Sequence, residues 1–163
     1  YVIYVGRLDR RQKRYDRLLK AYQESGVDHS LVIMGDGEVD QAQQLAEKMG
    51  LSHKVFFIGK QENPYPYMHQ AKLLLLTSDY EGFGRVIAEA LACGTPVVST
   101  DCPSGPRDIL VEELESCLVP LGDDALLSKR IAQLVMSPPI IKEKYISRFK
   151  PDIIADEYMA LMK

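Results

Sequence analysis

Cysteine is scarce in this sequence. Cys93, Cys102 and Cys117 are its only three, an odd number without the paired spacing of a zinc site. Free thiols in a reducing, cytoplasmic compartment are therefore expected. Long apolar runs are missing too: the longest, in "KLLLLT", falls far short of the ~20 residues that span a bilayer and reads as a buried strand. There is no excess of positive charge. The net charge is −3, which argues against a general nucleic-acid-binding role. The first residues, "YVIYVG", show neither the basic start nor the cleavage site of a signal peptide. They read as a strand already under way, so the chain is expected to be a domain cut from a longer protein. No GxGxxG follows that strand, and the chain has no Walker lysine motif and no Asp-x-Asp pair. Those absences remove the dinucleotide fingerprint, the P-loop and a metal-held diphosphate. No metal or cofactor is expected. His29, His53 and His69 are scattered, so each is by default a packing or surface residue.

What is present fits one globular domain over residues 1–163, at 46% hydrophobic and 26% charged. Short β-rich runs recur at "YVIYVG", "SLVIMG", "KVFFIG", "KLLLLT" and "TPVVST", separated by segments of helical composition. Leu18, Leu19 and Tyr22 give one helix a core-facing stripe, and "QAQQLAEKMG" ends another at Gly50. Strands alternating with helices need crossover connections. The economical architecture is α/β, a Rossmann-like parallel sheet with helices on both faces. Ligands of such sheets sit beyond the carboxyl ends of the strands. Those ends read "GRLD", "GDGE", "GKQENP", "TSDYEGFG" and "STDCPSGP" and should line one rim. Residues from about 123 to 163 read as helices outside the sheet, with a break at Pro138 and Pro139.

Two clusters carry chemistry. Gly82, Phe83 and Gly84 precede a helix that starts near Arg85. Glycines there let a backbone approach a ligand, and the free N–H groups of Arg85 and Val86 would face an anion. The ordinary reading is a plain tight turn. On that helix Ile87, Ala90 and Leu91 form the buried stripe, and Glu89 points away from it. An i, i+4 pair with Arg85 would explain Glu89 on a solvated face; in a cleft its carboxylate could accept two hydroxyl hydrogen bonds from a ribose. The second cluster, "GRLDRRQKRYDR", holds Arg7, Arg10, Arg11, Lys13, Arg14 and Arg17. Most of these read as solvated helix-face charges. Arg7 differs because it ends the first strand, and Lys13 lies within reach of the same point. Together they would neutralise charge on a departing diphosphate. Tyr65 and Tyr67 read as the start of a short packing helix.

These residues carry a family resemblance. The E-x7-E pattern "EGFGRVIAE", followed by "ALACGTPVVST" and preceded by "VGRL", "IMGDGE" and "VFFIGK", resembles the carboxyl-terminal domain of retaining glycosyltransferase family 4, one half of a GT-B fold. "DCPSGPRDIL" is similar to bacterial enzymes that build lipopolysaccharide or capsule. The resemblance implies that Glu81 contacts hydroxyls of the donor sugar, and that Gly82, Phe83 and Gly84 offer amides to sugar and phosphate. It implies that Glu89 holds the ribose, that Arg7 and Lys13 clamp the diphosphate, and that backbone near Gln61 reads the base. The donor would be a nucleotide sugar, a UDP-sugar by family preference. The acceptor, a glycan or lipid-linked glycan, would meet an amino-terminal domain absent from this chain. The full-length protein would work in the cytoplasm, with peripheral association at the inner membrane open to it. The family often has Lys-Gly where this chain has Lys13-Arg14, a departure that should stiffen the loop. Two other readings share the fold: a non-catalytic nucleotide-binding or interaction module, and a sugar-nucleotide epimerase or phosphorylase-like enzyme.

Overall fold

A computed structural model of the protein describes residues 1–149. Six strands are present: β1 (Val2–Val5), β2 (Leu31–Met34), β3 (Val55–Phe57), β4 (Leu74–Leu76), β5 (Val97–Asp101) and β6 (Leu118–Pro120). They form one sheet in the order β3-β2-β1-β4-β5-β6, parallel at every pairing. This is the doubly wound Rossmann-like order. The central strands read as unbroken apolar runs because both faces are covered, and Val2, Ile3, Leu74, Leu75 and Leu76 are all fully buried.

The helices are α1 (Tyr15–Ser25), α2 (Val39–Lys48), α3 (Tyr65–Gln70), α4 (Arg85–Ala92), α5 (Pro106–Ile109), α6 (Asp124–Met136) and α7 (Lys144–Ser147). Helix α1 packs on α2 and α6, whereas α4 packs on α3, α5 and α7. The chain runs outward from β1 in one direction and from β4 in the other, so right-handed crossovers put α1 and α4 on opposite faces. Leu18, Leu19 and Tyr22 of α1 and Ile87, Ala90 and Leu91 of α4 are buried. Gly26 closes α1 in the left-handed region at φ 65°, where glycine carries no Cβ penalty. Strand β6 and the 3-10 helix before it, Glu112–Cys117, have no counterpart in the sequence reading. Between Met136 and Lys144 the helical run is broken at Pro138 and Pro139. The expected helix over the rest of the tail lies outside the described residues.

Among the described residues no helix is long and apolar enough to cross a membrane. The cysteines are free, with Cys102 and Cys117 buried. Burial pushes the Cys102 thiol up to about 11, with the nearby Glu81 charge adding to the shift. It is therefore an inert, protonated side chain at neutral pH.

Candidate functional site

The strand order reverses between β1 and β4, which opens a crevice at their carboxyl ends. The first wall grows from β1. Beyond Val5 the chain turns at Gly6, and the Tyr4 hydroxyl donates to the Arg7 carbonyl at 2.8 Å, fixing the turn from beneath. A Cβ on Gly35 would lie 1.8 Å from the Gly6 oxygen, so only glycine lets the end of β2 close against this turn. Arg7 leans outward, its side chain 60% exposed and paired with Asp9 at 3.3 Å.

The loop that follows is folded by Asp9, whose Oδ1 accepts from the backbone N–H groups of Arg11 and Gln12, both at 2.8 Å. It is then tied to the end of β4. The Thr77 hydroxyl reaches the carbonyls of Lys13 at 3.0 Å and Arg14 at 3.2 Å, and the Asp79 N–H donates to the Gln12 carbonyl at 2.8 Å. Arg14 adopts φ 55°, a left-handed conformation uncommon outside glycine. The backbone thus takes at Arg14 a shape that a glycine would adopt freely. The Arg14 side chain is held by Asp16 at 3.0 Å and Asp79 at 2.8 Å.

The reading of the basic cluster as mostly solvated helix-face charge is corrected here. Arg17 is only 7% exposed, bonded to Asp79 at 2.6 Å, to Asp124 of α6 at 3.1 Å and to the Thr77 carbonyl at 2.9 Å. A buried guanidinium needs such partners, and they come from β4 and α6, far away in sequence. Arg10 and Arg11 are exposed. Burial pushes the Asp79 carboxyl up, but the hydrogen bonds from Arg14 and Arg17 outweigh it and hold the group below the usual carboxylate range.

The opposite wall is the loop from β4 to α4. Lys13 Nζ donates to both oxygens of Glu81, at 2.7 and 2.9 Å, with side-chain exposures of 18% and 6%. The Ser78 hydroxyl donates to Glu81 Oε1 at 2.6 Å. Lys13 and Glu81, expected at different parts of one ligand, are thus in direct contact. Gly84 stands at φ 76° and opens α4. Among the described residues, the first N–H of that helix to find a backbone carbonyl is Ile87's, on Gly84 at 2.8 Å; the N–H groups of Arg85 and Val86 are left for other acceptors, and both residues line the crevice. The β5–α5 loop backs this wall, since a Cβ on Gly105 would sit 2.4 Å from the Phe83 oxygen. The Phe83 ring meets Phe149 edge-on at 5.5 Å.

Together these walls enclose a cavity of about 430 Å³, lined by Arg7, Lys13, Glu81, Phe83, Gly84, Arg85, Val86 and Glu89. Gly82 is exposed on the same loop. Gln61 lies elsewhere, in an adjoining cavity of about 250 Å³ that shares Val5, Gly6 and Arg7 with the first. Its amide donates to the Ile58 carbonyl at 2.8 Å. Among the described residues no ion pair joins Glu89 to Arg85, so the plain surface pair is not formed. Nor is any group of three His, Cys, Asp or Glu side chains set to hold a metal there. Ser78, Thr77 and Asp79 went unnoticed in sequence, although "TSD" stands one residue before Glu81, the residue that Ser78 contacts.

A doubly wound parallel sheet with a crevice at its reversal point defines a Rossmann-like domain. Residues 1–150 match the family described as glycosyl transferases group 1, and the chain belongs to that family. It is 33% identical over 162 residues to the lipopolysaccharide 1,6-galactosyltransferase of Escherichia coli K12, covering 90% of this chain and 45% of that protein. It is 35% identical over 125 residues to N-acetylgalactosamine-N,N'-diacetylbacillosaminyl-diphospho-undecaprenol 4-alpha-N-acetylgalactosaminyltransferase of Campylobacter jejuni, covering 76% and 34% respectively. Among solved structures, the apo form of the lipopolysaccharide outer core galactosyltransferase WaaB superposes with a TM-score of 0.86 at 28% identity, over 96% of this chain and 47% of that one. A mutant of S. aureus TarM, in complex with Fondaparinux, alpha-GlcNAc-glycerol and UDP, gives 0.87 at 25% identity, over 98% and 34%. The chain thus spans 34% and 45% of the length of these two curated relatives.

Proposed function

We propose that this chain is the donor-binding half of a glycosyltransferase. The enzyme would transfer a hexosyl unit from a UDP-sugar to a glycan acceptor in bacterial surface polysaccharide or lipopolysaccharide synthesis, with retention of anomeric configuration. The observation that carries the reading is the convergence of Arg7, Lys13, the open N–H groups of α4 and two separate carboxylates on one cavity at the switch point. A nucleoside diphosphate sugar has matching parts. Its diphosphate would lie between Arg7, Lys13 and the start of α4, where fixed donors and the helix dipole stabilise charge as it grows on the leaving group. Glu89, half-buried and about one turn into α4, would accept the ribose hydroxyls, and Glu81 a hydroxyl of the sugar. The base would lie in the adjoining cavity beside Gln61. UDP in the TarM complex supports the choice of nucleotide.

On this reading the protein supplies no nucleophile. The leaving diphosphate departs on the face from which the acceptor attacks, and its oxygen takes the acceptor hydroxyl's proton. The acceptor site would lie in the amino-terminal part of the longer protein, so this chain binds donor without efficient turnover. Calorimetry with UDP, GDP and ADP tests the reading. UDP should bind, and Glu89→Gln should weaken it on the order of tenfold, the loss of hydrogen bonds to a charged acceptor. A chain that binds none of the three nucleotides contradicts the reading.

A further inference from the structure

Ser78 follows β4 by two residues, is fully buried, and touches neither cavity. Its hydroxyl donates to Glu81 Oε1 at 2.6 Å. Its own carbonyl accepts the Thr100 hydroxyl at 2.6 Å, and Thr100 is a buried residue of β5. The hydroxyl that meets Glu81 is therefore anchored from the neighbouring strand. Lys13 Nζ donates to both oxygens of the same carboxylate.

The capacities of these groups can be counted. Each carboxylate oxygen accepts at two in-plane sites, and an ammonium has three N–H donors. Oε1 is filled by Ser78 and Lys13, whereas Oε2 is met by Lys13 alone. Among the described residues, one acceptor site is left on Oε2 and one N–H on Lys13. The carboxylate cannot exchange its oxygens without breaking three hydrogen bonds in a nearly dry setting.

We propose that Ser78 is a positioning residue that locks the Glu81 carboxylate so that it reads one hydroxyl of the donor sugar, through Oε2. The proposal rests on the nucleotide-sugar reading above and sharpens it: Lys13 bridges the sugar-reading carboxylate and the diphosphate, with one N–H for phosphate. The sugar is selected by the direction of one hydroxyl, and that direction is set by a serine that never meets the ligand.

The test is calorimetry on the chain with UDP and with UDP-glucose, UDP-galactose and their N-acetyl forms. In Ser78→Ala, affinity for the tightest of the four sugars should fall on the order of tenfold, the scale of a lost hydrogen bond to a charged group. Affinity for UDP should change by less than about twofold, because UDP lacks the hydroxyl in question. In a Glu81→Ala background the same serine substitution should cost almost nothing, since the group it orients is gone; a double-mutant cycle isolates that coupling. Ser78→Cys, similar in shape with a weak donor, gives the same readout if the alanine variant folds poorly. Equal losses for UDP and UDP-sugar, a loss that persists with Glu81→Ala, or a parent chain that holds no UDP-sugar tighter than UDP would each overturn the proposal. A parent chain that binds no nucleotide overturns the donor-site reading itself; one that binds UDP-sugar with Ser78 variants unchanged overturns only the role of Ser78.

Discussion

Lys13 and Glu81 depend on each other before any ligand arrives. Both charges are largely out of water, and removing one partner strands the other, at a cost of several kcal/mol for a buried pair. We expect Lys13→Met to destabilise the chain by roughly 3 kcal/mol, with the lower part of that range reflecting the partial exposure of Lys13. The double variant Lys13→Met, Glu81→Leu should recover most of the loss, because no unpaired charge remains. Urea midpoints measure both; a double variant no more stable than the single would show that the pair is not what the lysine supports. This pairing was not legible in sequence, where the two residues stand 68 positions apart. Residue types and the E-x7-E spacing pointed to a carboxylate and a cation on one rim, and no local pattern says that the two touch.

At the scale of elements, the loop carrying Lys13 is held from β4 rather than from its own strand. Thr77 and Asp79 give it three hydrogen bonds from the other side of the switch point. Asp79 adds the ion pairs to Arg14 and Arg17 that tie the loop and α1 to the sheet. Because the folded Asp79 is held below its usual range, its contribution is complete above the unfolded carboxylate pKa of about 3.9 and is lost as pH falls through the folded value. Asp79→Asn should therefore cost roughly 2 kcal/mol at pH 7, discounted from a fully buried pair because Asp79 is partly exposed. The gap to the parent chain should hold steady down to about pH 5 and close as pH drops below about 4. Denaturation midpoints across that range decide it, and a gap unchanged down to pH 3 would contradict the ion-pair account. The misreading of Arg17 has the same origin. A helix-face pattern identifies Leu18, Leu19 and Tyr22 as core, but it cannot show that α6 brings Asp124 against the arginine beside them.

For the whole molecule, the alternation of apolar runs and helical segments specifies the fold class because each buried strand must be apolar throughout and each crossover must be a helix. Five of six strands stand out in this way. The sixth, "LVP" at Leu118–Pro120, is too short for a period to declare itself and ends in a proline that strand patterns disfavour at positions needing an N–H. It is recruited by pairing with β5, a tertiary choice. Strand order, and so the place of the crevice between β1 and β4, also comes from tertiary packing, although the glycine-rich strand ends marked the rim. That crevice is the centre of the account, and titrating UDP into isotope-labelled chain tests it most directly. The largest amide shifts should fall at Gly6, Arg7, Gly84, Arg85, Val86 and around Gln61, while Phe56 and Phe57, in the groove beside the edge strand β3, stay still. Shifts centred on that edge groove, or none at all, would contradict it.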